Sequence, residues 1–454
     1  MTGWVRRLAC AAGIAAVAAG LPSAGAWPAA APAARAAAPL PAPGRFPWRL
    51  ADGSAGAAGL AVWPLVRRAG APQPAGSLNG GLLGVSFAGR DDGWAVGFAC
   101  VPDCSTGRED TLIMHWNGRR WSRQPSPDPS PIEGLMSVSA VSGTDAWAAG
   151  VYATDPGVFR TLILHWNGSA WSRVASPDPS PDHQAGLNVI SQVTATSARN
   201  AWAVGYYCAR FCQGDGEVDR TLILHWDGTR WSVARSPDPG RQFSVLAGVA
   251  AVSAASAWAA GTYATAKGTT RPLILHWNGT RWAPAAITGP GQGTLNQTLN
   301  GITAASARNA WAVGYTCLPR CQNGVGPDRP LILRWNGTAW APVPSPDPVA
   351  RSSVLDAASA ASAASAWAAG SLTTRTGHTV PLILRWNGRA WTRSPGLRHN
   401  ADITLFSVAA IPTATDGRPA PAWAVGATCP PAPGCPQHPV ILRWDGTSWT
   451  VTVG

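Results

Sequence analysis

The residues best suited to chemistry in this 454-residue chain are its cysteines, histidines and acids, and each class falls in a pattern that limits what it can do. Cys10 apart, the cysteines form four close pairs: Cys100 and Cys104, Cys208 and Cys212, Cys317 and Cys321, Cys429 and Cys435. In a secreted protein such pairs read as disulfides, each worth about 2 kcal/mol through chain entropy. A pair could instead be half of a zinc site, but a structural site needs four converging ligands. A redox role would want Cys-x-x-Cys, and the spacing here differs.

His115, His165, His225 and His276 each precede a tryptophan, and at later copies of that position stand Arg334, Arg385 and Arg443. An imidazole can ligate a metal and a guanidinium cannot, so the position reads as structural. A glycosidase needs two carboxylates at a set separation. The chain has only three glutamates (Glu109, Glu133 and Glu217), and most aspartates sit in turns or in a repeated Ser-Pro-Asp-Pro. There is no Gly-x-Ser-x-Gly elbow and no phosphate loop. Asn167, Asn278, Asn296 and Asn336 head glycosylation sequons, three of them inside turns. These residues therefore predict no catalytic, cofactor-binding or metal-ligating site and no cofactor, and leave the eight paired cysteines as the site residues.

The elements that must position these residues come from one repeat. Leu162-Ile163-Leu164-His165-Trp166-Asn167-Gly168-Ser169-Ala170-Trp171 is a strand, a tight turn and a second strand, and it recurs with its second tryptophan at Trp121, Trp171, Trp231, Trp282, Trp340, Trp391 and Trp449. Each unit holds four short apolar segments, a to d, typified by Leu299–Ala304, Ala310–Tyr315, Leu331–Trp335 and Trp340–Pro344. Gly, Pro, Asn, Asp or Ser bound each one, the strand signature rather than the helix one. Asn-Gly or Asp-Gly joins c to d in every unit, supplying residues that tolerate positive φ. Val85, Val138, Val193, Val249 and Ile302 each lie nine residues before the b tryptophan, which makes the a–b link equally tight. The seventh unit departs, with Val408 fifteen residues before Trp423 around Pro412–Gly417.

Seven units of four antiparallel strands predict an all-β seven-bladed β-propeller, whose blades bury both sheet faces against their neighbours. The pattern resembles the kelch-type propeller. Trp-Ala-Val-Gly matches the aromatic-x-x-Gly strand of that family, and Trp-Asn-Gly-x-x-Trp matches its turn and tryptophan, over residues 80–454. The kelch double glycine is here a single one, as at Gly97, Gly150 and Gly205. The chain is also similar to Trp-rich repeat proteins secreted by actinobacteria. Repetition of Trp94, Trp147, Trp202, Trp258, Trp311, Trp367 and Trp423 in every blade argues for core packing rather than an exposed platform for sugars.

A second period lies within the first. Odd blades read Trp-Ala-Val-Gly and carry the cysteine pairs between b and c; even blades read Trp-Ala-Ala-Gly and carry none. Alternate blades hold the pairs apart, against a shared metal. The longer b–c and d–a loops share one end of the propeller, where recognition is expected.

Residues 1–26 read as a secretory signal peptide: Arg6-Arg7, an apolar run from Leu8 to Leu21, and the small residues Ala24-Gly25-Ala26. Residues 27–79 are rich in Ala and Pro and read as a tether, with a possible extra strand near 62–68. The net charge of +12 is scattered, without the basic stripe and module of a nucleic-acid binder. The expectation is a secreted, monomeric, non-enzymatic binding scaffold. It would engage a protein or a cell-envelope or extracellular polysaccharide through its long-loop face, with no nucleic acid and no membrane span after signal cleavage. The alternative is an extracellular propeller enzyme acting on glycans. That reading requires unrepeated Asp, Glu, His or Tyr to converge in a pocket, with Gln213–Asp219 and Gly289–Thr298 as candidate segments.

Overall fold

A computed structural model describes residues 78–101, 108–127, 130–155, 158–181, 186–210, 218–289, 296–318, 327–346, 350–395, 397, 402–411, 421–429 and 437–453. The expected signal peptide, almost all of the tether with its strand at 62–68, and the Pro412–Gly417 insertion lie outside them. Twenty-eight strands, β1 to β28 in chain order, form seven four-stranded antiparallel sheets. Each sheet uses four consecutive strands, as in β1 (Gly80–Gly89), β2 (Asp92–Cys100), β3 (Glu109–Trp116) and β4 (Trp121–Gln124). The protein is a seven-bladed β-propeller with strand a innermost and strand d outermost.

Strand sidedness explains the Leu-Ile-Leu of each strand c. Successive side chains leave a strand on opposite faces. Leu162 and Leu164 accordingly face blade 1, packing with Trp94, Val96 and Ile113, while Ile163 faces blade 3 with Ile190, Val193 and Ala201. The b-strand tryptophans are at most 1% exposed. Trp94 meets Trp166 and Trp171 of the next blade at ring separations of 4.9 and 5.0 Å, the second edge-on, and the pattern continues around the ring. Trp423 of the last blade completes it against Trp116 and Trp121 of the first, at 4.9 and 5.5 Å. Every blade is built from its own stretch of chain, so closure rests on these side chains and on short ties such as Gly80 N–H to the Gln437 carbonyl at 2.7 Å.

The repeated polar residues are structural. Asn167 Oδ1 accepts the N–H groups of Ser169 and Ala170 at 2.9 and 3.0 Å, with Gly168 at φ 94°, so the Asn-Gly element is a side-chain-closed turn. Asp178 and Asp238 of two Ser-Pro-Asp-Pro loops each accept the backbone N–H of a strand-c threonine, Thr161 and Thr221, at 2.7 Å. The loops are thereby docked on the blade. His165 stacks on Trp147 at 4.3 Å and bonds Asp145 at 2.9 Å; where arginine replaces histidine, Arg443 lies over Trp423 at 5.4 Å. Either flat side chain caps the buried indole.

Cys100 and Cys317 end strands b of blades 1 and 5, Cys208 lies two residues before the end of strand b of blade 3, and all three are disulfide-bonded, whereas Cys104, Cys212, Cys321 and Cys435 lie outside the described residues. Among the described residues no disulfide joins two cysteines, and the expected pairings Cys100–Cys104, Cys208–Cys212, Cys317–Cys321 and Cys429–Cys435 each include one residue outside them.

Candidate functional site in the central channel

The innermost strands are β1, β5 (Glu133–Ser142), β9 (Asn188–Ser197), β13 (Ser244–Ser253), β17 (Asn296–Ser306), β21 (Ser352–Ser362) and β25 (Asp402–Ala410). An inner strand offers a bare edge of backbone groups. Here the neighbouring blade supplies partners: Ser137 Oγ accepts the Val193 N–H at 3.3 Å, Gln192 Oε1 that of Val249 at 2.6 Å, and Ser407 Oγ that of Val85 at 3.3 Å. One turn-ward step along, Ser86, Ser139, Thr303 and Ser359 accept from Ala140, Ala195, Ala360 and Ala410 at 3.0 to 3.1 Å.

Every inner strand breaks register at the same place. The shift falls between Leu82 and Gly84 in blade 1, Leu299 and Gly301 in blade 5, and Leu355 and Ala357 in blade 6, with equivalents in the other four. The extra residue of a bulge is left unpaired and its side chain re-aimed. The strand-b glycine permits the close backbone approach beside the bulge: a Cβ at Gly205 would lie 1.9 Å from the Val189 carbonyl oxygen, and one at Gly370 would lie 2.2 Å from that of Val354. The seven bulged residues, Leu83, Met136, Ser191, Ala247, Asn300, Asp356 and Phe406, all line one cavity of about 270 Å³ on the propeller axis.

Two of them form a pair. Asn300 Nδ2 donates to the Leu355 carbonyl at 3.0 Å and to Asp356 Oδ1 at 3.2 Å, which fixes the orientation of its amide. Asn300 Oδ1, buried, has no hydrogen-bond partner in the protein. Asp356 is 8% exposed, and burial pushes its carboxyl up to about 7 against the opposing pull of the Asn300 hydrogen bond. No Lys, Arg or His stands among the described lining residues, so no cation stabilises the ionised form. Such a group changes protonation near neutrality, which is what general acid–base work requires.

The cavity runs from the bulges toward the a–b turns, where Ser86, Ser139, Thr194, Thr303 and Ser359 line it. Behind the bulges lies an apolar cluster of Phe98, Val151, Val189, Tyr206, Phe243 and Val245, against which Leu83, Met136 and Phe406 pack. The site is thus inside the ring and displaced from the long-loop end. Of the candidate segments at that end, 213–217 and 290–295 lie outside the described residues, and Asn296 and Gln297 are engaged elsewhere, by the Thr270 N–H at 2.9 Å and by Thr316 at 3.3 Å. Sequence reasoning missed Asp356 and Asn300 because each occurs once. The available signal was the column that follows the repeated strand-a leucine or isoleucine (Leu82, Leu135, Ile190, Leu246, Leu299, Leu355, Leu405), which changes in every blade.

No protein-family model and no curated protein matches the chain. Solved structures do. One described as YCF48 bound to a D1 peptide is 14% identical, with 82% of this chain and 95% of that one covered and a TM-score of 0.46. A polysaccharide lyase described as an ulvan lyase bound to its saccharide is 9% identical, with 84% and 97% covered and a TM-score of 0.48. A protein of unknown function from Dyadobacter fermentans is 10% identical, with 82% and 95% covered and a TM-score of 0.45. These likenesses bear on the fold alone; the kelch and actinobacterial resemblances gain no family match from them.

The expectation of a non-enzymatic binding scaffold is corrected. The channel holds an unrepeated acid, Asp356, with its carboxyl pushed up to about 7 by burial, away from the long-loop end to which the scaffold reading assigned recognition. No helix among the described residues is long and apolar enough to cross a membrane.

Proposed function

We propose that the protein is a secreted enzyme acting on glycans, with Asp356 as its acid–base residue in the propeller channel. The observation that carries this reading is one carboxyl, placed by a β-bulge in a buried cavity, hydrogen-bonded by Asn300 and poised near neutral pH. The walls suit a sugar. Hydroxyls of Ser86, Ser139, Thr303 and Ser359 face the cavity alongside the apolar Phe406, Met136 and Leu83, matching the polar edges and apolar faces of a pyranose ring. Secretion is supported by Arg6-Arg7 and the following apolar run.

The test is release of saccharides from a panel of extracellular and cell-envelope polysaccharides by the purified protein, followed by chromatography. Wild type is expected to release product, and Asp356→Asn to lose activity by at least about a hundredfold. Equal release by both proteins would refute the assignment of Asp356.

A further inference from the structure

Resting on that reading, we infer the substrate class: an anionic polysaccharide, bearing carboxylate or sulfate groups, that is captured on the turn end of the propeller. Along the chain the arginines look scattered, and the fold gathers them. The a–b and c–d turns share one end, and blades 3 to 5 place Arg199, Arg230, Arg281 and Arg308 there, all of them exposed. Arg199, Arg281 and Arg308 make no ion pair among the described residues, and Arg230 lies only loosely beside Asp227 at 3.9 Å. Acids at this end are engaged: His115 and His165 hold Asp92 and Asp145 at 2.7 and 2.9 Å, and Asp227 accepts the N–H groups of Thr229 and Arg230 in its own turn. The long-loop end differs. Arg108 and Arg160 pair there with Asp110 and Asp178 at 3.0 and 3.4 Å, and Arg220 is bonded to the Asp219 and Gly240 carbonyls at 3.2 Å.

A second observation is aromatic. Trp226, Trp277 and Trp335, the first tryptophans of their hairpins, are only half-buried, whereas the b-strand tryptophans are sealed. Their indole N–H groups donate to the Ala198, Ala254 and Ala307 carbonyls of the a–b turns at 3.0 Å, which ties the turns bearing Arg199 and Arg308 to rigid hairpins. A Cβ at Gly228 would lie 3.2 Å from that of Arg199, so this arginine stands beside the turn that carries Arg230. A pyranose offers an apolar face to an indole, and its anionic substituent matches the paired N–H groups of a guanidinium. One exposed ion pair is weak, but a polymer meets several at once. The cavity runs toward this same end and has Asp356 as the single ionisable group among its described lining residues. With no countercharge inside, the charges of the polymer stay on the face.

The experiment uses the full chain carrying Asp356→Asn, a channel substitution away from this face, so that binding is read without turnover. Immobilised polygalacturonate and chondroitin sulfate are compared with neutral dextran and with duplex DNA. At least one acidic polysaccharide is expected to bind at least about tenfold more tightly than dextran or DNA, and to lose about tenfold or more in affinity when ionic strength rises from about 0.05 to about 0.3 M. Arg199→Ser, Arg281→Ser and Arg308→Ser, combined, should weaken that binding at least about tenfold. The charge-matched combination Arg241→Ser, Arg351→Ser and Arg375→Ser, at exposed positions of the long-loop end, should leave it within about twofold. Thermal melting confirms that each variant is folded; should the first combination fail to fold, its three substitutions are measured singly. No binding to either acidic polymer, equal binding to dextran or DNA, or equal losses from the two combinations would each overturn the inference. The two readings separate cleanly. An acidic polymer that binds but is never cleaved by wild type would remove the enzyme and leave the capture face, whereas cleavage of neutral polymers alone would do the reverse.

Discussion

The tryptophan girdle and the bulge ring are built from adjacent parts of the same repeat and obey opposite rules. In the girdle, each blade gives the same answer: a b-strand tryptophan, buried to within 1%, stands against a tryptophan of the next blade. In the ring, the residues are Leu, Met, Ser, Ala, Asn, Asp and Phe, different in each of seven blades. The girdle must be identical because every blade offers its neighbour the same socket. The ring is free to vary because a bulged residue stands outside the strand ladder and lines the cavity. Repetition therefore marks what holds the propeller together, and departure from repetition marks where it can act.

The comparison is broken most severely from the girdle side. Trp202 touches Trp277 at 4.9 Å, Trp282 at 5.1 Å and His225 at 4.1 Å. Trp202→Ala should cost about 3–5 kcal/mol, read as a lowered denaturation midpoint, while Ala247→Ser in the ring should cost less than about 0.5 kcal/mol. Comparable losses at the two positions would end the distinction. Gly205→Ala follows, since its new Cβ would press on the Val189 carbonyl, a backbone atom that cannot step aside. Its expected cost is about 1–3 kcal/mol or more. Because the same glycine permits the bulge, loss of saccharide binding should accompany it.

Asp356 sharpens the comparison, because a ring residue is expected to oppose stability where girdle residues supply it. Its carboxyl titrates at about 7 in the folded chain against an ordinary value of 3.8. Between those values the folded state holds the proton that the unfolded state has released, so unfolding free energy falls as pH rises from about 4 to about 7. Asp356→Asn should remove this slope and raise stability at pH 7 by a few kcal/mol, while abolishing activity. Thermal melts of both proteins from pH 4 to pH 8 test it; parallel curves would show that the carboxyl is not buried in its acidic form.

How much of this was legible in the sequence follows from the same division. The seven blades, their antiparallel order and the packing role of the tryptophans were readable because period-2 sidedness and Asn-Gly turns are local and recur seven times. The strand-b glycine was visible as a motif but not as a cause, since its necessity lies in a carbonyl on another strand. Asp356 looked like one of twenty aspartates, many of them in turns. Nothing in a linear chain shows that its neighbour on the adjacent blade is Asn300, 56 residues away, or that the ring encloses a cavity there. Loop length pointed attention to the b–c and d–a end. The inward-facing bulges, which make no loop at all, carried the unrepeated chemistry.

The smallest effect concerns the cap on each buried indole, where histidine in blades 1–4 gives way to arginine in blades 5–7. His276 lies over Trp258 at 4.1 Å, and burial holds its imidazole below the ordinary value of 6.5. The neutral ring is the form that packs, so the unfolded chain takes up a proton first as pH falls through 6.5, and stability declines until the folded imidazole is also protonated. Arg443 performs the same capping over Trp423 with a permanent charge. His276→Arg should therefore change stability at pH 7.5 by less than about 1 kcal/mol and should flatten the loss seen when the pH is lowered from there to below 6.5. If the substitution were strongly destabilising at both pH values, the two caps would not be interchangeable. The girdle would then hold a blade-specific element that its repetition conceals.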